Sequence, residues 1–386
     1  MKIPLAWLQL SREKMRLLVA LAGIGFADLL MFMQLGFRDA LFDSSIRLHK
    51  QIDGDVFLIS PQSTALIAMK SFPERRLFQA LSFPQVASIS PLYLDLALWK
   101  NPTNRATRSI LVIGFDPIKP VFDLPGVTQN IDQIKLADVV LFDSASRKEF
   151  GPVTEMFNAG ENIQTEVGSR RITVKGLFKL GASFGADGNL ATSDINFLRI
   201  FSRRKKGLID VGVVKLKPQY ADEEQVKQVV QEMRAKLPPD IRVFSKQEFI
   251  NFEKSYWQNS TAIGFVFTLG TAMGFIVGIV IVYQVLYTDV ADHLAEYATL
   301  KAMGYRDIYF LGVVFQEAII LAILGYMPGL FLSMGLYNLT RNATSLPMIM
   351  TLARGTTVMT LSIIMCVISG AIALRKLSAA DPADIF

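Results

Sequence analysis

Four stretches of the sequence carry almost no charge: residues 17–37, 262–287, 308–336 and 355–374. Each holds about 20 residues or more, enough at about 1.5 Å per residue to cross roughly 30 Å of hydrocarbon as a helix. A chain with such segments must place them in a bilayer or bury them in a very large core. The composition favours the bilayer, since 51% of residues are apolar, only 19% are charged and mean hydropathy is +0.34. The spacing therefore predicts four transmembrane spans, one near the start and three near the end, around an intervening region of residues 38–260.

Charge in the short flanks sets the expected orientation. Lys2, Arg12, Lys14 and Arg16 precede the first span against Glu13 alone, which predicts a cytoplasmic N-terminus. Residues 38–260 and 337–354 then lie outside, and residues 288–307 and 375–386 inside. The first span runs too long for a signal peptide and lacks small residues at a cleavage site, so it reads as a retained anchor. Residues 1–16, with Ile3, Leu5, Trp7, Leu8 and Leu10 ahead of the basic group, form a segment able to lie along the inner surface or to serve as a plain basic flank.

The outer region predicts a mixed α/β domain. Strands are expected at 55–60, 87–99, 108–115, 170–178 and 208–216, where Val, Ile, Leu and aromatic residues cluster between Gly, Pro and Asp. A helix is expected over 222–237: acidic residues open it, Pro238 and Pro239 end it, and Val226, Val229, Val230, Met233 and Leu237 form one stripe. The Gly-rich and polar stretches within 119–206 suggest a second lobe inserted into a first lobe made of 38–118 and 207–260.

Chemistry-bearing motifs are scarce. No G-x-x-x-x-G-K-[ST] loop is present to cradle a nucleotide, so any ATPase must act in trans. The two histidines, His49 and His293, have no cysteine partner for a metal site, and the single cysteine, Cys366, excludes an intrachain disulfide. His49 is expected as a solvated surface residue on a helix leaving the first span. With no G-x-S-x-G elbow either, no catalytic constellation is expected. The +6 net charge is interspersed with acidic residues and lacks interleaved aromatics, which argues against nucleic-acid binding.

The inner loop between spans two and three is more informative. Leu294, Tyr297, Leu300 and Met303 recur at helical spacing, Glu296 and Lys301 point elsewhere, and Gly304 offers a helix stop. These features describe a short amphipathic helix at the inner surface. Within the spans, Asp28 and Glu317 are costly in hydrocarbon unless paired: they either face the bundle or dimer seam and help set two packing states, or Glu317 bonds a neighbouring helix permanently, or either is protonated and merely tolerated. Gly270, Gly274 and Gly278 on the second span, and Gly325 and Gly329 flanking Pro328 on the third, provide helix-packing faces. The first row suits a subunit seam or packing inside one subunit.

The segment Glu296-x-x-x-Leu300-Lys301-Ala302-Met303-Gly304 resembles the coupling loop of the MacB/FtsX superfamily of ABC permeases. The entry Ala6-Trp7-Leu8 to Leu18 and the closing Arg375 to Phe386, with Pro382, look like the same family; length, loop and ending are most similar to the DevC-type permeases of cyanobacteria. The resemblance implies a MacB-like periplasmic domain on a non-catalytic subunit of the inner membrane, and a homodimer. It also implies partners: an ATPase like DevA that holds ATP and Mg, an adaptor like DevB and a TolC-like outer-membrane duct. Residues 296–304 would dock on the ATPase, and ATP-driven closure would be relayed mechanically to the outer domain to expel a glycolipid or other envelope substrate. An FtsX-like regulator of extracytoplasmic hydrolases and a LolC/LolE-like lipoprotein-releasing permease share this layout.

Overall fold

The computed structural model describes residues 7, 12, 14–293, 299, 303–344 and 346–378, the side chains of 307, 310 and 375–378 excepted. The chain divides into two compact units: residues 1–40, 262–344 and 348–386 form one, and residues 41–261 with 345–347 the other. Seven helices matter here: α1 (Lys14–Ser45), α2 (Arg47–Gln51), α3 (Glu223–Lys236), α4 (Lys246–Ser255), α5 (Ala262–Asp292), α6 (Asp307–Thr344) and α7 (Leu352–Ser378).

Helices α1, α5, α6 and α7 are long and apolar enough to cross a membrane, in the one-plus-three arrangement expected from the sequence. All extend beyond the charge-free stretches that announced them, because a helix continues past the hydrocarbon wherever its ends can be capped or solvated. Their shared core contains Ala20, Ile24 and Ala27 of α1, Val282 and Leu286 of α5, Ala318, Leu321 and Ala322 of α6, and Met365, Cys366 and Ala373 of α7. Helix α5 is the least enclosed, exposing Phe265, Val266, Leu269, Met273, Ile276 and Val280.

The second unit is built on eleven strands: β1 (Val56–Ile59), β2 (Phe72–Pro73), β3 (Val86–Lys100), β4 (Thr107–Phe115), β5 (Val139–Asp143), β6 (Gln164–Val167), β7 (Arg170–Phe178), β8 (Asn189–Ser193), β9 (Leu208–Ile209), β10 (Val211–Leu216) and β11 (Arg242–Ser245). Nine form one sheet in the order β11-β1-β10-β3-β4-β8-β5-β7-β6, and β2 pairs with β9 separately. Pairings are antiparallel except β4–β8 and β5–β7. Successive residues of β4 serve opposite faces: Ile110 and Val112 enter one core cluster, Leu111, Ile113 and Phe115 the other.

The expected two lobes are halves of this sheet, not separate sheets. β3 is long enough to serve both: Val86 to Leu92 pair with β10, Leu92 to Lys100 with β4. At its far end Trp99 bridges to Val167 of β6, closing β3-β4-β8-β5-β7-β6 into a barrel-like ring. Gly168 N donates to the Leu98 carbonyl at 2.7 Å, and Lys100 Nζ reaches Glu166 at 3.0 Å, reinforcing the closure. The inserted segment thus borrows the second half of β3 and all of β4 to complete itself.

Local signals explain the helices that frame the domain. α3 begins after Asp222 and stops at Leu237, with Val226, Val229, Val230 and Met233 buried as the stripe requires. α4 opens with a capping box: Ser245 Oγ accepts the Glu248 amide while the Glu248 carboxylate accepts the Ser245 amide. The Ser245-x-x-Glu248 signature of that box is present in the sequence itself.

Candidate relay site in the transmembrane unit

Five residues of the expected coupling segment, Glu296, Tyr297, Leu300, Lys301 and Ala302, lie outside the described residues. The remaining two, Met303 and Gly304, form an exposed turn ahead of α6, with the Met303 amide donating to Thr299 O at 3.1 Å. Gly304 has φ +96 and open space where a Cβ would stand. Glycine is needed there for its backbone conformation rather than for room.

At this loop end of the bundle the spans gather ionisable groups. Arg16 of α1 pairs with Asp292 of α5 and approaches Asp289 at 3.7 Å. His293 Nδ1 lies 2.9 Å from the Asp289 carbonyl, an i, i+4 contact that seats the ring against the helix end. Glu317 of α6, fully buried, faces Asp289 across the α5–α6 contact. Glu317 therefore belongs to a polar cluster shared by three helices, α1, α5 and α6. The sequence singled out Glu317 but not Asp289, and took Arg16 only as flank charge; opposite charges just beyond the ends of two predicted spans are the signal that would have paired them.

Asp28 occupies the bundle interior, fully buried, with Ser362 Oγ of α7 donating to it at 3.2 Å. Beside it α1 and α6 cross at close range. A Cβ on Gly329 would stand 2.9 Å from both Asp28 Cβ and the Gly25 carbonyl, and one on Gly25 would meet the Gly325 carbonyl at 3.3 Å. Glycines at 25, 325 and 329 let α1 and α6 approach to backbone contact around Pro328, whose missing N–H loosens α6 at that level. Gly325 also packs against Ile24.

The glycine row of α5 faces helices of the same subunit. Gly270 packs on Gln34, Gly274 on Leu30 and Met31, and Gly278 on Ala27 and Met365. Each of the three thus meets residues of its own chain, and the exposed side of α5 carries larger apolar residues.

The far end of the bundle holds a second polar cluster that sequence reasoning missed. Arg354 of α7 is nearly buried; its Nη2 lies 2.9 Å from Asp39 Oδ2 of α1, its Nη1 donates to the Ile349 carbonyl at 2.8 Å, and its guanidinium sits 5.5 Å from the Tyr337 ring centroid. The Tyr337 hydroxyl of α6 donates to the Phe32 carbonyl of α1. Ion pairs thus tie the spans at both ends, while small residues and one carboxyl fill the middle.

Residues 260–382 match the family model described as FtsX-like permease C-terminal. The matched stretch contains α5, α6 and α7. Among solved structures, the chain is similar to the periplasmic region of MacB from Actinobacillus actinomycetemcomitans at 13% identity, covering 54% of this chain and 95% of that one with a TM-score of 0.35. It is also similar to the extracellular domain of the noncanonic ABC-type transporter YknZ from Gram-positive bacteria, at 11% identity over 50% of this chain and 98% of that one, TM-score 0.33. No curated protein matches the chain.

Proposed function

We propose that this chain is the permease subunit of a MacB/FtsX-type ABC exporter, working as a mechanical relay for an ATPase carried on another polypeptide. The observation that carries the reading is the FtsX-like permease match over residues 260–382, which contains the loop Glu296 to Gly304. In this reading the N- and C-termini are cytoplasmic, the α5–α6 loop docks on the ATPase, and residues 41–261 form the periplasmic working part. A homodimer paired with two ATPase subunits, a DevB-like adaptor and a TolC-like duct would complete a DevC-type system, with a glycolipid or another envelope component as cargo.

The physical case for a relay rather than a pore rests on the bundle interior. Among the described residues Ala, Val, Leu and Met dominate it, with Asp28 and Ser362 as the polar contact at mid-bundle, and so apolar an interior offers little lining for a hydrophilic path. Nucleotide-driven closure would instead push on the Met303-Gly304 turn, shift α5 and α6 against α1, and move the outer domain.

The test is reconstitution with the cognate ATPase. Leu300→Asp and Gly304→Pro should abolish stimulation of ATP hydrolysis and export while the protein stays in the membrane; unchanged stimulation and export would refute the reading. Co-purification separates the alternatives, since an adaptor and duct protein support export, whereas a cell-wall hydrolase would instead make the chain an FtsX-like regulator.

A further inference from the structure

The outer domain contains one buried polar contact that neither its packing nor the relay explains. His49, on α2 just after the first span, is not the solvated residue expected from the sequence: it is 0% exposed, and neither Nδ1 nor Nε2 has a hydrogen-bond partner. Its ring lies 4.5 Å from that of Phe249, which stacks on Phe57 at 4.9 Å. Opposite its Nε2, at 3.7 Å, is Oε2 of Glu253 on α4, itself 1% exposed. Glu253 is held firmly: Oε2 accepts the Leu66 amide at 2.8 Å and Oε1 accepts Trp257 Nε1 at 2.8 Å.

No other charged side chain acts on the pair. On α2, Arg47 donates to the Ala182 carbonyl and Lys50 lies 4.0 Å from Asp43; on α4, Lys246 donates to the Ile52 carbonyl. β1 contributes Phe57, the 65–68 turn only the Leu66 amide, and residues 256–260 the Trp257 indole. The shift of each group has burial as its largest cause, with no charged neighbour contributing. A buried imidazolium–carboxylate pair at 3.7 Å would pay two desolvation penalties for one imperfect contact. A neutral imidazole beside a carboxylic acid avoids both charge penalties at that 3.7 Å separation.

We propose that His49 and Glu253 form a one-proton site joining α2 to α4, in which folding moves the proton from the imidazole to the carboxyl. Burial pushes the His49 imidazole down to about 3 from 6.5, and pushes the Glu253 carboxyl up to about 7 from 4.5, against the two bonds it accepts. Between pH 4.5 and 6.5 the unfolded chain holds its proton on His49 and the folded chain holds it on Glu253. Proton counts are equal, so the pair contributes no pH dependence in that window. Above about pH 7 the folded site releases the proton and leaves a carboxylate facing a neutral ring, so the α2–α4 joint loosens in alkali. This inference concerns the outer domain alone and does not depend on the transport reading.

Single variants separate the two hidden terms. His49's lowered affinity makes stability rise with pH through the window, because only the unfolded state binds its proton there. Glu253's raised affinity makes stability fall, because only the folded state does. In the full-length chain in lipid nanodiscs, native-state hydrogen exchange of β1 and β10 amides, corrected for intrinsic rates and referred to wild type, reads both. Glu253→Gln should make the folding constant climb about tenfold per pH unit between pH 4.5 and 6.5, and His49→Phe should make it fall about tenfold per unit. Slopes of the same sign, or none in either variant, overturn the proposal. A wild-type readout stands if a variant does not fold. Because the chain has two histidines, ¹⁵N-histidine NMR on a His293→Gln background reports His49 alone. A neutral imidazole across the window, with a chemical-shift step near pH 7 as Glu253 ionises, supports the site; imidazole protonation near pH 6.5 overturns it.

Discussion

Arg354 at the start of α7 reaches Asp39 near the end of α1 at 2.9 Å, although 315 positions separate them in sequence. Arg354 is almost fully buried and Asp39 only partly so, so removing the cation leaves Asp39 with Arg38 alone, at 3.0 Å, and also frees the Ile349 carbonyl. Arg354→Ala should cost about 2–4 kcal/mol, and Arg354→Lys should recover only part, because an ammonium cannot serve Asp39 and Ile349 with one planar fork. Thermal unfolding in detergent, followed by size-exclusion chromatography, checks the order wild type, Lys, Ala.

Glycines of α6 should divide by what they face. Gly329 abuts Asp28 and the Gly25 backbone at 2.9 Å, whereas a Cβ at Gly335 meets nothing within 4 Å. Gly329→Ala must push α1 and α6 apart and should lose about 1–3 kcal/mol. Gly335→Ala should be neutral or gain up to about 1 kcal/mol from helix propensity. Equal effects in the same melting assay would show that the α1–α6 crossing is not close-packed.

The Asp143 carboxylate collects donors only: the amides of Ala145, Leu180 and Gly181 and the Asn189 amide nitrogen, all at 2.7–3.0 Å. Asp143→Asn is nearly isosteric yet turns an NH2 group toward some of those donors. We expect a loss of about 1–3 kcal/mol in the outer domain, seen as faster hydrogen exchange at residues 180–189 with the spans unaffected.

At Gly304 the backbone carries the demand, since φ is +96 and the space is open. Gly304→Ala should cost about 1 kcal/mol locally and weaken ATPase stimulation without abolishing it. Gly304→Asn, which tolerates the left-handed region better, should fall between alanine and wild type.

Much of the architecture was legible because composition alone enforces it. Four charge-free stretches can only be spans, and α3 announces itself with acidic residues, a stripe and two prolines. β8 escaped because Asn189-Leu190-Ala191-Thr192-Ser193 reads as polar loop yet is wholly buried. Asn189 binds Asp143 and Thr192 Oγ donates to the Val139 carbonyl, so tertiary partners replace water for each polar group. His49 misled for the same reason, as its surroundings come from Phe249 and Glu253, about 200 positions away. Arg354 looked like a loop charge because its partner sits on a different span. The Glu296 to Gly304 loop was visible only through sequence resemblance, since its helical spacing alone describes many surface helices.

β3 has a consequence for how force would travel. A single 15-residue strand, roughly 50 Å long when extended, is hydrogen-bonded into the open sheet over its first half and into the ring over its second. No flexible linker separates the lobes at that point. In the proposed relay the outer domain would act as a lever without an elbow, a push on β10 reaching Trp99 along one unbroken strand.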